Sequence, residues 1–451
     1  MKNKRKILQN SIISIFIVVF IIILFYFLIT FYIIPNDFDL PVILLIGFAI
    51  IIIITFYCII NVGHGTGRNN IVFSFKGLSE NSIKIILMLL MAITIFIPPV
   101  SFSTTIIDWN QIGFFNYFRS IIFLIGIAFL PGSAIYNIIL PKDTLHQRFN
   151  VKPFLLKITL YPILSFTFLE LYTFILNLLG LFREYFIYFL FLAIVILFII
   201  DILVQKHRKI NYFKMYLINI KISKFSFLTL LISFGVVIIA MGINISSKYS
   251  IPGDNWRAIG YALNIGGSDW AQFYTTGAYW GYLSFSLSIL SGIPYVNINA
   301  MLFPFLYLSV ISTYLFMKAI LHNLKEIYSV LSTILVISFS ELFFFNFNSN
   351  LGQGSIPWVT FDSLFFFRYK SFAFVLFLIS MALFIITAKT SENLEKKPIY
   401  RMKNFIYIIL GSFFLVQCSI HYFLPIIPGI SLIFIYCFFS KRKIYNLQLF
   451  L

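Results

Sequence analysis

The chain is poor in charge, and its acidic residues are especially rare. Only 11% of its 451 residues are charged, against about a quarter in an average soluble domain. Hydrophobic residues make up 60% of the chain, and apolar runs recur from one end to the other. These features exclude a soluble globular protein and predict an all-α polytopic membrane protein, because a helix satisfies its own backbone hydrogen bonds in lipid.

Cysteine is also scarce, and no extended polar domain interrupts the apolar runs. The three cysteines, Cys58, Cys418 and Cys437, all lie in apolar stretches, which argues against a disulfide framework and against a metal site. The longest polar interval is Lys248–Trp280, too short for a nucleotide-binding domain. The net charge of +18 is therefore expected to mark a cytoplasmic membrane face, not a nucleic-acid partner.

The connections between apolar runs alternate between basic and neutral. The apolar run behind the basic leader Met1–Lys6 is too long for a signal-peptide core, so we interpret it as a first transmembrane helix. The positive-inside rule then predicts a multi-pass protein of the cytoplasmic membrane with its N-terminus inside and Lys248–Trp280 outside. The basic connections are Asn61–Ser82, Pro141–Pro153 and Val204–Lys224, and the acidic or neutral ones are Pro35–Leu40, Ser101–Tyr117 and Gly180–Glu184.

Hydropathy predicts about twelve (11 to 13) transmembrane helices. Six belong to an N-terminal helical module, residues 1–224, and the others to a core, residues 225–451. The predicted helices are Ser11–Ile33, Pro41–Ile60, Ile83–Val100, Phe118–Leu140, Phe154–Leu179, Tyr185–Leu203, Phe225–Ile245, Asn299–Ile320, Tyr328–Phe347, Ser371–Thr387, Phe405–Ile420 and Phe423–Phe439.

The segment Gly281–Leu290 is apolar but too short for a standard span, and the turn residues Ser291, Gly292 and Pro294 follow it. If it does not cross, only six of the 33 Lys and Arg residues lie outside: Arg119, Arg183, Lys248, Arg257, Arg368 and Lys370. If it crosses, the basic C-terminal clusters move outside instead. We therefore expect a juxtamembrane or re-entrant helix, with outer loops at residues 248–298 and 348–370.

Aromatic and acidic residues collect in the predicted outer connections. All five tryptophans lie there, namely Trp109, Trp256, Trp270, Trp280 and Trp358, together with Asp254, Asp269 and Asp362. One interpretation is an interfacial aromatic belt. The other is a cleft in which sugar rings stack on aromatic faces while carboxylates bind the ring hydroxyls. A belt usually occupies both interfaces, yet no tryptophan is predicted inside.

Asp254 has a structural and a chemical interpretation. Pro252-Gly253-Asp254 is typical of a helix start, where the aspartate caps the first free amides. A carboxylate held just above the bilayer could also take the proton of an attacking hydroxyl, or hold a divalent cation against a diphosphate. Both interpretations remain open from residue chemistry alone.

A family resemblance bears on this choice. The residues Asp254-Asn255-Trp256-Arg257, then Tyr261–Gly266, Tyr279–Leu290 and Ser291-Gly292-Ile293, resemble the first outer loop of the polyprenyl-phosphate-sugar-dependent integral membrane glycosyltransferases with the GT-C fold. Phe129–Gly132, Leu145–Phe149 and Leu176–Leu181 are similar to an N-terminal module found ahead of such regions in many prokaryotic membrane proteins. The resemblance covers roughly Phe129–Ala388.

The resemblance implies transfer of a hexosyl-type sugar from a polyprenyl-phosphate donor to an acceptor at the outer face. Asp254 would be the base, with Asp362 and Glu341 as further acids. Such families often carry a second acid beside the first, whereas Asn255 follows here, so no metal ligand is assigned. Arg368, Lys370 and Arg257 would contact the donor phosphate unless they are only interfacial anchors. The remaining substrate-binding candidates are Trp256, Asp269, Trp270, Trp280, Trp358 and His421.

Other classes remain open. A transporter or lipid flippase would also be polytopic, although no internal repeat is found. A non-catalytic membrane subunit of a cell-surface polysaccharide pathway is a further alternative. Because GT-C families usually have more helices after this loop, the sequence also fits a piece or a reduced member of such a family. Glu170, in the middle of a span, is a functional hypothesis by default, with a tyrosine or Lys157 as its expected partner.

The topology makes a testable prediction. Single cysteines in Lys248–Trp280 and in Asn348–Lys370, in a variant that lacks the three native cysteines, should react with a membrane-impermeant maleimide added to intact cells, because both loops are predicted outside. A cysteine in Val204–Lys224 is the control and should react only after the cells are permeabilised. Reaction of the first loop alone would mean that Gly281–Leu290 crosses the membrane.

Overall fold

The fold is described from a computed structural model of the chain. It describes residues 49–50, 53–54, 57, 70–78, 80–100, 112–140, 145–179, 181, 186–206, 215–246, 278–294, 297–298, 301–339, 369–394 and 398–417. This part is mostly helical. Four helical stretches are long and apolar enough to cross a membrane: Phe114–Ile139, Pro153–Leu178, Ile187–Val204 and Phe303–Ile320. The prediction of a mostly helical chain with apolar helices long enough to cross a membrane is confirmed, whereas the count of about twelve spans stays a prediction.

The described helices follow the predicted spans within several residues. In chain order they are α1 (Glu80–Thr94), α2 (Phe114–Ile139), α3 (Pro153–Leu178), α4 (Phe186–Lys206), α5 (Lys224–Ser246), α6 (Ala278–Ser291), α7 (Tyr307–Ile320), α8 (Glu326–Phe339), α9 (Tyr369–Leu394) and α10 (Pro398–Val416). A helical turn at Leu145–Arg148 links α2 to α3, and a 3-10 turn at Phe303–Leu306 precedes α7. The predicted helices Ser11–Ile33 and Phe423–Phe439 lie outside the described residues.

One element departs from the all-helical prediction. Strand β1 (Asn70–Leu78) pairs antiparallel with strand β2 (Met215–Ser223), so that Asn70 lies opposite Ser223 and Leu78 opposite Met215. Both strands lie within segments that the sequence analysis treated only as basic connections. Alternate residues are apolar, which is the period of a strand. Ile71, Phe73 and Phe75 pair with Ile222, Ile220 and Ile218.

Helices α2 and α3 form the closest pair at the centre of the bundle. The amide of Gly132 donates to Oγ of Ser165 at 2.6 Å. A Cβ at Gly132 would lie 1.8 Å from the carbonyl oxygen of Tyr161, so only glycine permits this approach. Small residues bring helix backbones together in membranes, where lipid removes the hydrophobic drive for packing. Tyr136 packs edge-on against Tyr161 at 5.3 Å between ring centroids, so the end of α2 lies beside the start of α3 and the two helices run antiparallel.

Charged and polar side chains join several helices at one end of the bundle. Lys84 on α1 contacts Asp201 on α4 at 3.0 Å, and Asn137 on α2 donates to the other oxygen of Asp201 at 2.9 Å. Glu326, at the start of α8, accepts from Ser223 at the end of β2 at 2.7 Å. We call this the sheet end, because β2 runs directly into α5 there. The opposite end is called the Arg119 end.

Glu80, at the sheet end, contacts two lysines. Lys157 contacts it at 2.7 Å and Lys84 at 3.4 Å, and the hydroxyl of Tyr161 donates to it at 3.0 Å. Burial raises the pKa of Glu80, but the two lysines together outweigh this effect and lower the pKa to about 2. Glu80 is therefore ionised at neutral pH and holds α1 against α3.

The two lysines make a matched pair for a stability test. Lys84 and Asp201 are both buried, whereas the side chains of Lys157 and Glu80 are 34% and 45% exposed. Lys84→Met should lower the free energy of unfolding by about 3 kcal/mol or more, because it leaves a buried carboxylate without its cation. Lys157→Met should cost about 1 kcal/mol or less. Denaturant unfolding in detergent micelles measures both.

Adding Asp201→Asn to Lys84→Met should recover part of the lost stability, since the buried carboxylate that Lys84 contacts is then removed as well. Equal losses for the two lysine variants would contradict the prediction.

Candidate functional site

Arg119 is buried in the second turn of α2, with 1% of its surface exposed. Its guanidinium donates to the carbonyl oxygens of Leu290, at 3.1 Å, and Ile289, at 3.2 Å, both in the last turn of α6. It also donates to the carbonyl of Ile97, just beyond α1. The last carbonyls of a helix have no partner within the helix, and a cation there is favoured by the helix dipole. Arg119 thus fixes the end of α6 against α1 and α2.

Gly292 allows the chain to leave α6 at this point. Its φ of +74° lies in the left-handed region, which glycine adopts without steric cost at a helix C-terminus. A Cβ at Gly292 would meet the guanidinium of Arg119 at 3.0 Å. The carbonyl of Gly292 accepts from the amide of Val100 at 2.9 Å. The predicted turn after Leu290 is therefore present, and it packs on Arg119.

The other part of α6 is bound to the last two turns of α3. Asn177 donates to the hydroxyl of Tyr282 at 3.0 Å, and the hydroxyls of Thr173 and Ser286 lie 2.5 Å apart. Asn177 is one residue from the end of α3, while Arg119 is five residues from the start of the antiparallel helix α2. Both anchors of α6 thus lie at the Arg119 end.

Helix α6 is therefore held at the Arg119 end at two places along its length, by α2 and by the last turns of α3. The expectation that Gly281–Leu290 is a juxtamembrane or re-entrant segment stays a prediction.

One face of α3 carries a line of polar side chains toward α6. Glu170, Thr173 and Asn177 are spaced by three and four residues, so they share this face. We call these three residues, with Tyr282 and Ser286 of α6, the polar seam. One turn before Glu170 on the same face, Phe166 contacts the rings of Phe305 at 5.0 Å and Phe372 at 5.9 Å. The seam is therefore polar toward the Arg119 end and closed by aromatic rings on its other side.

Glu170 is the member of the seam without a hydrogen bond. It is 1% exposed, and neither of its carboxyl oxygens has a hydrogen-bond partner among the described residues. The sequence analysis expected Lys157 or a tyrosine to pair with it. That expectation is wrong for the described residues, because Lys157 and Tyr161 both bind Glu80 instead.

The candidate site residues from the sequence lie almost entirely outside the described part of the chain. This holds for the proposed acids Asp254, Asp362 and Glu341, and for the binding candidates Trp256, Arg257, Asp269, Trp270, Trp358, Arg368 and His421. Of the others, the backbone of Trp280 lies in the first turn of α6, and the backbone of Lys370 lies in the first turn of α9.

The helices that flank these segments can be placed. Helix α5 starts at the sheet end, and its 23 residues span about 34 Å, so it ends toward the Arg119 end. Helix α8 also starts at the sheet end, where Glu326 accepts from Tyr314 at 2.6 Å. Residues 247–277 thus connect the end of α5 to the start of α6, and residues 340–368 connect α8 to α9, whose Phe372 contacts Phe166. Both segments that carry the predicted site residues are joined to helix termini directed to the same end of the bundle.

Sequence reasoning missed the polar seam and the role of Arg119. Arg119 was counted only as one of the six cations predicted at the outer face, although an arginine within an apolar span itself indicates a structural or functional role. The alternating serines of α6, from Ser284 to Ser288, were a second signal, since all three serines of this stretch are buried.

Comparison with known proteins gives no assignment. No family model, no curated protein and no solved structure matches the chain. The resemblance to GT-C glycosyltransferases therefore depends on the sequence pattern, and the site is interpreted from its own geometry.

The anchoring role of Arg119 can be tested by local hydrogen exchange. Arg119→Lys should raise amide exchange across α6, because an ammonium cannot reach the carbonyls of α1 and α6 together, and each hydrogen bond to a charged donor contributes roughly 1.5–3 kcal/mol. Exchange in the middle of α3 should not change.

The control is Arg148→Lys, since Arg148 binds Asn404 at 2.6 Å at the sheet end. Exchange across α6 that is identical in Arg119→Lys and the wild type would show that Arg119 does not hold this helix.

Proposed function

We propose that the protein is a membrane glycosyltransferase that moves a sugar from a polyprenyl-phosphate donor to an acceptor at the outer face of the cytoplasmic membrane. The observation that supports this most is the position of α6. This short apolar helix follows the segment that carries Asp254, and it is anchored at the Arg119 end by Arg119 and Asn177. A short helix that stays on one side of the membrane is what the resemblance to the GT-C family implies.

The Arg119 end is assigned to the outer face by charge. The sheet end receives the Lys- and Arg-rich segments 61–82 and 204–224 through β1 and β2. The positive-inside rule makes that end cytoplasmic and keeps the N-terminus inside. Arg119 lies at the outer face in this assignment, and backbone carbonyls within the protein stabilise its charge there.

In the proposed reaction Asp254 accepts the proton of the acceptor hydroxyl as the hydroxyl oxygen attacks the anomeric carbon of the donor sugar. The bond between that carbon and the phosphate oxygen breaks, and polyprenyl phosphate leaves with the electron pair. Arg368, Lys370 and Arg257 would stabilise the charge on the leaving phosphate. Lys370 lies in the first turn of α9, where helix amides also favour an anion.

The other predicted residues would bind the substrates. Trp256, Trp270, Trp280 and Trp358 would offer faces for sugar rings, and Asp269, Asp362, Glu341 and His421 would orient hydroxyls. A divalent cation held by Asp254 against the phosphate is the alternative use of that carboxylate.

A proton-coupled transporter or lipid flippase is the second candidate. Glu170 favours it, because an acid buried within a membrane bundle without a hydrogen-bond partner in the described residues is typical of proton and substrate pathways. A non-catalytic membrane subunit of a polysaccharide pathway would need neither Asp254 nor Glu170, so the experiments on these two acids separate all three functions.

Asp254→Asn tests the proposed base. The assay is transfer of radiolabel from undecaprenyl-phosphate glucose, mannose or galactose to membrane acceptors in proteoliposomes that contain the purified protein. Transfer should fall by roughly 10²-fold or more when the base is lost. Expression and α6 exchange should not change, because asparagine caps a helix nearly as well as aspartate.

Asp108→Asn, in another predicted outer connection, is the matched control and should transfer as the wild type does. Wild-type transfer by Asp254→Asn would exclude Asp254 as the base. The absence of transfer by the wild-type protein with all three donors would leave the transporter as the better candidate.

A further inference from the structure

Glu170 has no counter-ion among the described residues, because the buried cations of the bundle are engaged elsewhere. Lys84 is paired with Asp201 at 3.0 Å, and Lys318 with Glu326 at 3.2 Å. The guanidinium of Arg119 is occupied by the carbonyls of α1 and α6. Lys157 binds Glu80 on the surface of the sheet end. The described structure thus offers this acid no positive charge.

The groups packed around Glu170 also leave its oxygens unsatisfied. Toward the sheet end, the residue one turn from Glu170 on the same face of α3 is Phe166, whose ring contacts those of Phe305 and Phe372. Toward the Arg119 end the next polar groups are Thr173 on its own helix and Ser286 on α6. Of the titratable groups on neighbouring elements, Tyr307 of α7 donates to the carbonyl of Ile158, Tyr282 of α6 accepts from Asn177, and Asp201 of α4 is held by Lys84.

This environment requires a proton on Glu170. Moving a charged carboxylate into the protein interior without a donor or a cation costs several kcal/mol. A carboxylic acid in its neutral form avoids this cost and keeps an O–H group that can be exchanged.

The polar seam offers a path for that proton. From Glu170 to Asn177 the seam rises about 10 Å along α3, and the hydroxyls of Thr173 and Ser286 lie 2.5 Å apart on the way. Beyond them, the hydroxyl of Tyr282 lies against Asn177 near the end of α3. The hydroxyl of Ser286 donates to the carbonyl of Tyr282 at 2.7 Å, so Thr173 donates to Ser286, and a relay requires Ser286 to turn away from that carbonyl. A hydroxyl both donates and accepts, so it can then receive a proton on one side while releasing its own on the other. Toward the sheet end, the next hydroxyl on this face of α3 in the described residues is that of Thr159, which donates to the carbonyl of Leu155 at 2.8 Å.

We propose that Glu170 is a proton-binding site that exchanges with the Arg119 end through Thr173, Ser286 and Tyr282. In the outward step the O–H bond of Glu170 breaks and its proton passes to a hydroxyl of the seam, which releases its own proton toward the Arg119 end. Glu170 remains as a carboxylate, and the reverse step restores the acid. This site does not depend on Asp254 or on sugar transfer.

Infrared spectroscopy of the full-length protein in lipid nanodiscs tests the protonation state. The wild type should show the carbonyl stretch of a protonated carboxylic acid that shifts in D2O and is missing from Glu170→Gln. The amide is close in shape to the neutral acid, so this variant should fold. Glu170→Asp, which should move the same band, serves as a second variant. A carboxylate band that disappears in Glu170→Gln instead would overturn the proposal.

The time course of the D2O shift tests the path. The double variant Thr173→Val, Ser286→Ala should slow the exchange of the Glu170 band several-fold. Thr167→Val is the matched control, because Thr167 is also a buried threonine of α3 but does not belong to the polar seam, and its hydroxyl donates to the carbonyl of Ile163 at 2.6 Å. Its exchange should equal that of the wild type. Equal exchange in the double variant would show that the proton does not reach Glu170 through the seam.

Discussion

The guanidinium of Arg119 is the contact on which the arrangement of the Arg119 end depends. Three helices contribute to it, since the side chain comes from α2 and the carbonyls from α6 and from just beyond α1. Within a bilayer no water can replace these acceptors, so an arginine at this depth must be satisfied by the protein. Arg119 thereby fixes the last turn of α6 against α1 and α2.

Buried polar groups are stabilised by different kinds of contact at the two ends of the bundle. At the sheet end, acids and lysines are paired directly, as in Lys84 with Asp201 and Lys318 with Glu326, so their charges cancel within the protein. At the Arg119 end the contacts join neutral groups, or one cation with backbone carbonyls. Neutral hydrogen bonds need less compensation when a substrate or a proton changes the local charge. Both the proposed sugar transfer and the proposed proton path are assigned to the Arg119 end.

The sequence predicted the helices and the short α6 well, because apolar length and turn residues are local signals. It did not predict the sheet, since its strands lie 137 residues apart in the pairing of Leu78 with Met215, and the two segments were interpreted by their charge and not by their period of two. The contact between Glu80 and Lys157, which are 77 residues apart, could likewise not be predicted from local sequence patterns. The residues around Asp254 lie outside the described part, so their roles stay predictions.

A coupling between the two proposed sites would give a physical reason for both to occur in one protein. Phe166 lies one turn from Glu170 and contacts Phe372, which is two residues after Lys370, a predicted phosphate contact. A negatively charged phosphate bound there would repel an ionised Glu170 across the low dielectric of the bundle. Phosphate binding and proton binding would then favour each other, as linkage requires of any two sites with a favourable coupling free energy. This repulsion is electrostatic and acts across the aromatic rings, so it requires no direct contact between the phosphate and Glu170.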